Sequence, residues 1–280
     1  METKVNANLN GVPETMLLTL YARAKYSKKE SDFFYDRKSV EIAERLNYDF
    51  SAADSDVALN YLTLSRTVLI DKMVKDFIVS NPEATIINIA CGLDTRFFRV
   101  DNGKINWFDI DLAESINVRK NFFDNSLRHR MIAASAMDEA WARAIGVPHG
   151  NVLVIIEGLS MYLNDISIRK IFGIINRNFA NAEVFMEIMP KKHVTKNRYK
   201  SVATANANFS WGVDSGGQLD LAGFDWLGDF SVNTVLSKMG FAFKLKCLLP
   251  YAYKNSEKIA VFKSNIIQNY EIVSSCASGV

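Results

Sequence analysis

Cysteine and histidine are scarce in this chain, with three of each among 280 residues. Cys91, Cys247 and Cys276 are odd in number and far apart, which excludes a disulfide framework and a zinc site of ordinary ligand spacing. His129, His149 and His193 are equally scattered, so no metal is expected. Charge of one sign is lacking as well. Lys and Arg number 33 against 31 Asp and Glu, a net charge of +2, which argues against a broad nucleic-acid surface. The basic run from Pro190 to Lys200 reads as a solvated helix face. No stretch approaches the roughly 18 apolar residues that a membrane span needs. The opening METKVNANLNGVPETM has no apolar core of signal-peptide kind. A cytoplasmic protein without a membrane or nucleic-acid partner is expected.

The phosphate-binding signatures are missing too. A dinucleotide loop needs G-x-G-x-x-G, and the matching positions here hold Ala90, Gly92 and Thr95, with the acid Asp94 inside the loop. No G-x-x-x-x-G-K-[ST] occurs. A ligand without phosphates is favoured.

What is present is an ordinary globular balance, 49% hydrophobic and 23% charged, sufficient for one large core. The first 80 residues read as helical, with Glu14 to Ser27 following Pro13 and a long amphipathic stretch from Asp56 to Ser80 ending before Asn81-Pro82. From Thr85 the rhythm becomes strand, helix, strand. The candidate strands are Thr85 to Ala90, Ile105 to Ile110, Arg130 to Ala134, Val152 to Ile156 and Glu183 to Ile188. That alternation predicts a doubly wound, mostly parallel α/β sheet covered on both faces. A further pair, Phe241 to Leu249 and Lys258 to Lys263, reads as a hairpin that adds an antiparallel C-terminal strand. One domain over 1–280 is expected: a helical cap at 1–80, a ligand-binding core at 81–189, a lid insertion at 190–229 and C-terminal strands at 230–269.

Chemistry gathers where successive strands end. Ala90-Cys91-Gly92 is a small-residue turn that lets backbone N–H groups approach a ligand, though a plain tight turn has the same composition. Asp109 and Asp111 close the next strand on one face, where a carboxylate can meet the vicinal hydroxyls of a ribose; Asp111 can equally cap the following helix. Glu157 ends a buried apolar strand, so it needs a positive partner, either a cationic ligand or a structural arginine.

In order and spacing, SRTVLID, NIACGLDTRFFRV, WFDIDLAESINVRKNFF and IEGLSMYL resemble the class I S-adenosylmethionine-dependent methyltransferases. Within that class they look like the leucine carboxyl methyltransferase and tetracenomycin-type polyketide O-methyltransferase family. The resemblance covers about Glu14 to Tyr162 and, more loosely, FSVNTVLSKMGF. It implies a Rossmann-like sheet of seven strands and S-adenosyl-L-methionine as cofactor, leaving S-adenosyl-L-homocysteine as product. Carried over residue by residue, Arg66 would bind the methionine carboxylate. Ala90, Cys91 and Gly92 would form the loop beneath the methionine half, Asp111 would hold the ribose, and Glu157 would stand near the amino-acid end. Two departures stand out. Ala90 replaces the family's usual Gly, and Ser135-Ala136 replaces an Asp-Leu pair against the adenine.

Methyl transfer from a sulfonium is an in-line displacement that depends mainly on positioning. A carboxylate acceptor needs no base, whereas a phenol must lose its proton. His193 and Tyr162 are weak catalytic candidates, and Tyr21, Phe209 and Trp211 are candidates for lining the acceptor pocket. Aromatics in the insertion point to a small, mainly apolar acceptor, such as a polyketide-like phenol or carboxylate. The alternatives are a protein C-terminal carboxyl as acceptor, a nicotinamide-dependent oxidoreductase, and a non-catalytic nucleoside-binding protein.

Overall fold

Thr85–Ile89 is buried along its whole length, as its run of isoleucines requires, and forms the first strand (β1) of the central sheet. In this computed structural model, which describes residues 4–7, 9–27, 34–194, 199–236 and 256–265, six more strands join it. They are β2 (Asn106–Asp111), β3 (His129–Ala133), β4 (Val152–Ile156), β5 (Glu183–Ile188), β6 (Phe224–Ser231) and β7 (Lys258–Ser264). Their order across the sheet is β3-β2-β1-β4-β5-β7-β6. The strands from β1 to β5 pair in parallel, and β7 runs antiparallel to both β5 and β6. This is the Rossmann-like arrangement with an antiparallel C-terminal strand.

Helices cover both faces. On one lies a 24-residue helix, Val57–Ser80, preceded in the chain by α1 (Thr15–Ser27) and α2 (Arg37–Arg45) and therefore numbered α3. Asp56 caps it by accepting from the Leu59 N–H at 3.2 Å, and it stops at Asn81, ahead of Pro82. Its Leu62, Leu69, Ile70, Val74 and Phe77 pack in one cluster with Ile86, Trp107, Leu153 and Ile155 of the strands. Burial of each such side chain contributes about 1.5–3 kcal/mol. Helix α4 (Ala113–Arg119) follows β2, and α5 (Asp165–Asn178) covers the opposite face. Asn164 caps α5, and its Ile168, Ile171, Phe172 and Ile175 cluster with Ile87, Val154, Ile156 and Phe262. A third cluster joins Met16, Leu17 and Leu20 of α1 to Ile42, Leu93, Phe122 and Phe123. It seats α1 over the end of β1.

The partner of β7 differs from expectation. It is Phe224–Ser231, which the sequence reading had divided between the insertion and the C-terminal strands. Alternation is obscured there because the register slips between Trp226 and Gly228, and because Trp226, Leu227 and Phe230 are exposed on an edge strand. The stretch Phe241 to Leu249, read from sequence as that partner, lies outside the described residues.

Register aligns the functional ends. Ile89 pairs with Ile110 on one side and Ile156 on the other, and Ile156 pairs in turn with Met186. One position further along, Asp111, Ala90, Glu157 and Glu187 therefore stand at one level, at the carboxyl edge where parallel sheets bind ligands.

Candidate active site

The eight residues assigned to the cofactor from sequence line a single cavity of about 230 Å³. Arg66 comes from α3, and Ala90, Cys91 and Gly92 from the turn after β1. Asp111 ends β2, Ser135 and Ala136 follow β3, and Glu157 follows β4. Val12, Pro13, Thr15, Met16 and Thr19 close the cavity from the N-terminal side.

The turn after β1 is tightly determined. Ala90 has φ 55° and Gly92 φ 48°, both in the left-handed region. For a residue with a Cβ that conformation costs roughly 1–2 kcal/mol, so Ala90 is strained where glycine would not be. At Gly92 a Cβ would lie 2.7 Å from Cβ of Met16, so only glycine lets α1 approach. The Gly92 N–H donates to Asp111 at 2.7 Å, and the second oxygen of Asp111 accepts from the Leu112 N–H at 2.7 Å. Burial pushes the Asp111 carboxyl above its ordinary value against these two bonds. The Cys91 thiol is buried and pushed well up by desolvation, which leaves it inert as a nucleophile.

Glu157 is paired within the protein. Its two oxygens accept from Arg66 Nε at 2.8 Å and from Arg96 Nη2 at 2.7 Å. Burial opposes ionisation, but Arg96 and Arg66 outweigh it and hold the carboxyl below its ordinary range. Of the two partners left open by the sequence, the structural arginine is therefore present, while Glu157 still lines the cavity. Arg66 also donates from Nη1 to both oxygens of Glu187, at 3.0 and 3.1 Å. Its Nη2 has no hydrogen-bond partner among the described residues and lies by Gly158, where Arg66 lines the cavity.

Several residues here escaped the sequence reading. In LDTRFF, a stretch with no obvious catalytic side chain, Arg96 distributes its three nitrogens over Asp71, Asp94 and Glu157, each at 2.7 Å. Arg23 of α1 lines the cavity too, with Nη2 on the Leu93 carbonyl at 2.8 Å. Glu187, the second acid of EVFMEI, gives no signal in the sequence because it sits inside an apolar strand. Asp109, expected beside Asp111, instead serves the interior. It accepts from Asn88 and the Trp107 indole, pairs with Arg119, and meets His129 at 2.6 Å.

A second, smaller cavity of about 40 Å³ shares Thr15, Thr19, Arg66 and Gly158 with the first. Its other walls include Leu59, Leu62, Met161, Tyr162 and Phe209, with the buried acid Glu187 among them. Burial raises the Tyr162 hydroxyl to about 12, so at neutral pH it is a hydrogen-bonding phenol and no base. His193 is buried, 3.3 Å from Glu257, and lines neither cavity. Of the other aromatic candidates, Phe209 lines the second cavity. Tyr21 stacks on Phe50 and donates to Asp54, and Trp211 donates to Asp165. Among the described residues, no group of three His, Cys, Asp or Glu side chains is placed to hold a metal, and no helix is long and apolar enough to cross a membrane.

Comparison with known proteins identifies the family. The family model for leucine carboxyl methyltransferase matches residues 19–176. The tetracenomycin polyketide synthesis O-methyltransferase TcmP of Streptomyces glaucescens is 29% identical over 208 residues, covering 73% of this chain and 76% of that protein. The S-adenosyl-L-methionine-dependent methyltransferase dpfgK of Gibberella zeae is 31% identical over 201 residues, covering 66% of this chain and 67% of that protein. Among solved structures, a DUF574 family protein from Streptomyces avermitilis superposes with a TM-score of 0.57 at 12% identity, over 87% of this chain and 97% of that one, a likeness of fold. The nicotinamide-dependent alternative is thereby set aside: this chain belongs to the leucine carboxyl methyltransferase family and is an S-adenosylmethionine-dependent methyltransferase.

Proposed function

We propose that the protein transfers a methyl group to an oxygen of a small, mainly apolar molecule, a phenol or a carboxylate. The observation that carries this reading is the arrangement around Arg66. Two of its nitrogens are fixed on buried carboxylates, and the third has no partner among the described residues, in an arginine that lines both cavities.

The residues fit the cofactor. An unpaired guanidinium nitrogen is the donor that an amino-acid carboxylate requires. Gly92 lets the turn pack against Met16 of α1 while its backbone lines the cavity, and Asp111 offers acceptor capacity for ribose hydroxyls. Ser135 and Ala136 would border the adenine, with the Ser135 hydroxyl engaged by the Met137 N–H at 3.3 Å. When bound, S-adenosylmethionine supplies an electrophilic methyl group on sulfur. The protein's own part is to orient and to exclude water. Arg66 would fix the amino-acid end of the ligand and Asp111 its ribose, with the Val12–Thr19 segment walling the cavity.

The second cavity supports the acceptor class. Its leucines, methionines, tyrosines and phenylalanine give a mainly apolar wall beside Gly158, with Glu187 as its acid, and at about 40 Å³, against roughly 150 Å³ for a cavity that holds benzene, it would take one edge of an acceptor whose remainder lies in the first cavity. Tyr162 would orient the acceptor oxygen by a hydrogen bond. TcmP is named for O-methylation in polyketide synthesis, which favours small aromatic acceptors in the screen. The test is incubation of the protein with S-adenosylmethionine and a panel of aromatic phenols and carboxylic acids, read by mass spectrometry. An O-methylated product with matching S-adenosylhomocysteine supports the reading. Methylation of nitrogen or carbon acceptors, or of protein C-termini alone, overturns it.

A further inference from the structure

We propose that Glu187 is a positioning residue for cofactor binding, acting through Arg66 and the Gly158 turn without touching the ligand. Glu187 is completely buried on β5, at the level where the site residues end their strands. One of its oxygens accepts from Arg66 Nη1, and the other accepts both from Nη1, at 3.1 Å, and from the Gly158 N–H, at 2.7 Å. It thus ties together the arginine and the turn that follows Glu157. The inference rests on Arg66 holding the carboxylate of the cofactor.

The geometry explains why one acid would be insufficient. Glu157 engages only Nε of Arg66, and one hydrogen bond leaves the rigid planar guanidinium able to tilt as a unit about that contact. Glu187 takes Nη1 and thereby fixes the plane of the guanidinium, which aims Nη2 at the cavity. A planar fork pinned on two nitrogens presents the third with little further loss of freedom. Glu187 also balances charge, since Glu157 is shared with Arg96.

The test compares two probes. S-adenosylhomocysteine carries the amino-acid end, and methylthioadenosine shares its nucleoside but lacks that end. Calorimetric titration of wild type should show tighter binding of the first. In Glu187→Gln, which keeps an acceptor for Gly158 but weakens the pin on Arg66, S-adenosylhomocysteine should bind about tenfold more weakly or worse. Methylthioadenosine should bind as in wild type. A purely structural role would weaken both probes together, and that result overturns the proposal, as does unchanged binding of S-adenosylhomocysteine. If Glu187→Gln fails to fold, Arg66→Gln/Glu187→Gln removes both buried charges together. Its affinity for S-adenosylhomocysteine should equal that of Arg66→Gln alone, and a further loss refutes action through Arg66. Failure of the underlying assignment has a different signature: wild type would bind the two probes equally.

Discussion

Arg66 and Glu157, 91 positions apart in the chain, meet at 2.8 Å between Nε and a carboxylate oxygen. This contact joins the long helix α3 to the end of β4 and sets the charged wall of the cavity. Removing the arginine should therefore have two effects. Arg66→Ala leaves Glu157 with one partner and Glu187 with only the Gly158 N–H, so stability should fall by about 3–5 kcal/mol, as for other broken buried pairs. In protein that remains folded at low temperature, affinity for S-adenosylhomocysteine should fall by about 1.5–3 kcal/mol. Thermal melting and calorimetry read the two effects separately.

Gly92 permits the contact between the β1 turn and α1. Gly92→Ala places a Cβ 2.7 Å from Cβ of Met16 and forces a side chain into φ 48°. A loss of about 1–3 kcal/mol in stability is expected, with weakened cofactor binding, because the Val12–Thr19 segment must shift. Denaturant unfolding and calorimetry check both.

Ala90 points the other way. At φ 55° it is strained, and Ala90→Gly should relieve that strain against a smaller gain in unfolded-state entropy, for a net stabilisation of about 0.5 kcal/mol. A higher melting temperature with undiminished binding of S-adenosylhomocysteine is the expected outcome.

The buried ionic network should make the fold acid-labile. Burial alone would raise Asp36, Asp94, Asp109 and Glu157, but arginine neighbours outweigh it and hold all four below their ordinary values. Acids depressed in the folded state contribute stability that is present above the unfolded values, 3.8 for Asp and 4.5 for Glu, and is lost as pH falls through the folded ones. Glu187 and Asp111 are raised by burial, so their protonation favours the fold and offsets part of the loss. Melting temperature should therefore fall as pH drops from about 4.5 toward 2. Glu157→Gln should flatten that slope.

The positions lining the cavity were legible because they are tied to strand ends. TIINIA and VLVII are apolar enough to mark buried strands, and whatever follows such strands lies at one edge of a parallel sheet. Pairing was less legible. Glu157 reads as an acid in need of a cation, but nothing local identifies Arg96 as a partner from a different turn. Asp109 and Asp111 look equivalent by alternation, yet Arg119 and His129 draw the first into the interior, while the second stays at the cavity. Phe224–Ser231 escaped notice because an edge strand with a bulge carries neither a continuous apolar run nor a clean alternation.

The cofactor is proposed to lie along the edge formed by Arg66, the Ala90–Gly92 turn and Asp111. A crystal structure of the protein with S-adenosylhomocysteine tests it most directly. The ribose hydroxyls should lie on Asp111 and the amino-acid carboxylate on Nη2 of Arg66. A ligand bound in this cavity with its amino-acid end away from Arg66, or bound elsewhere on the protein, would contradict it.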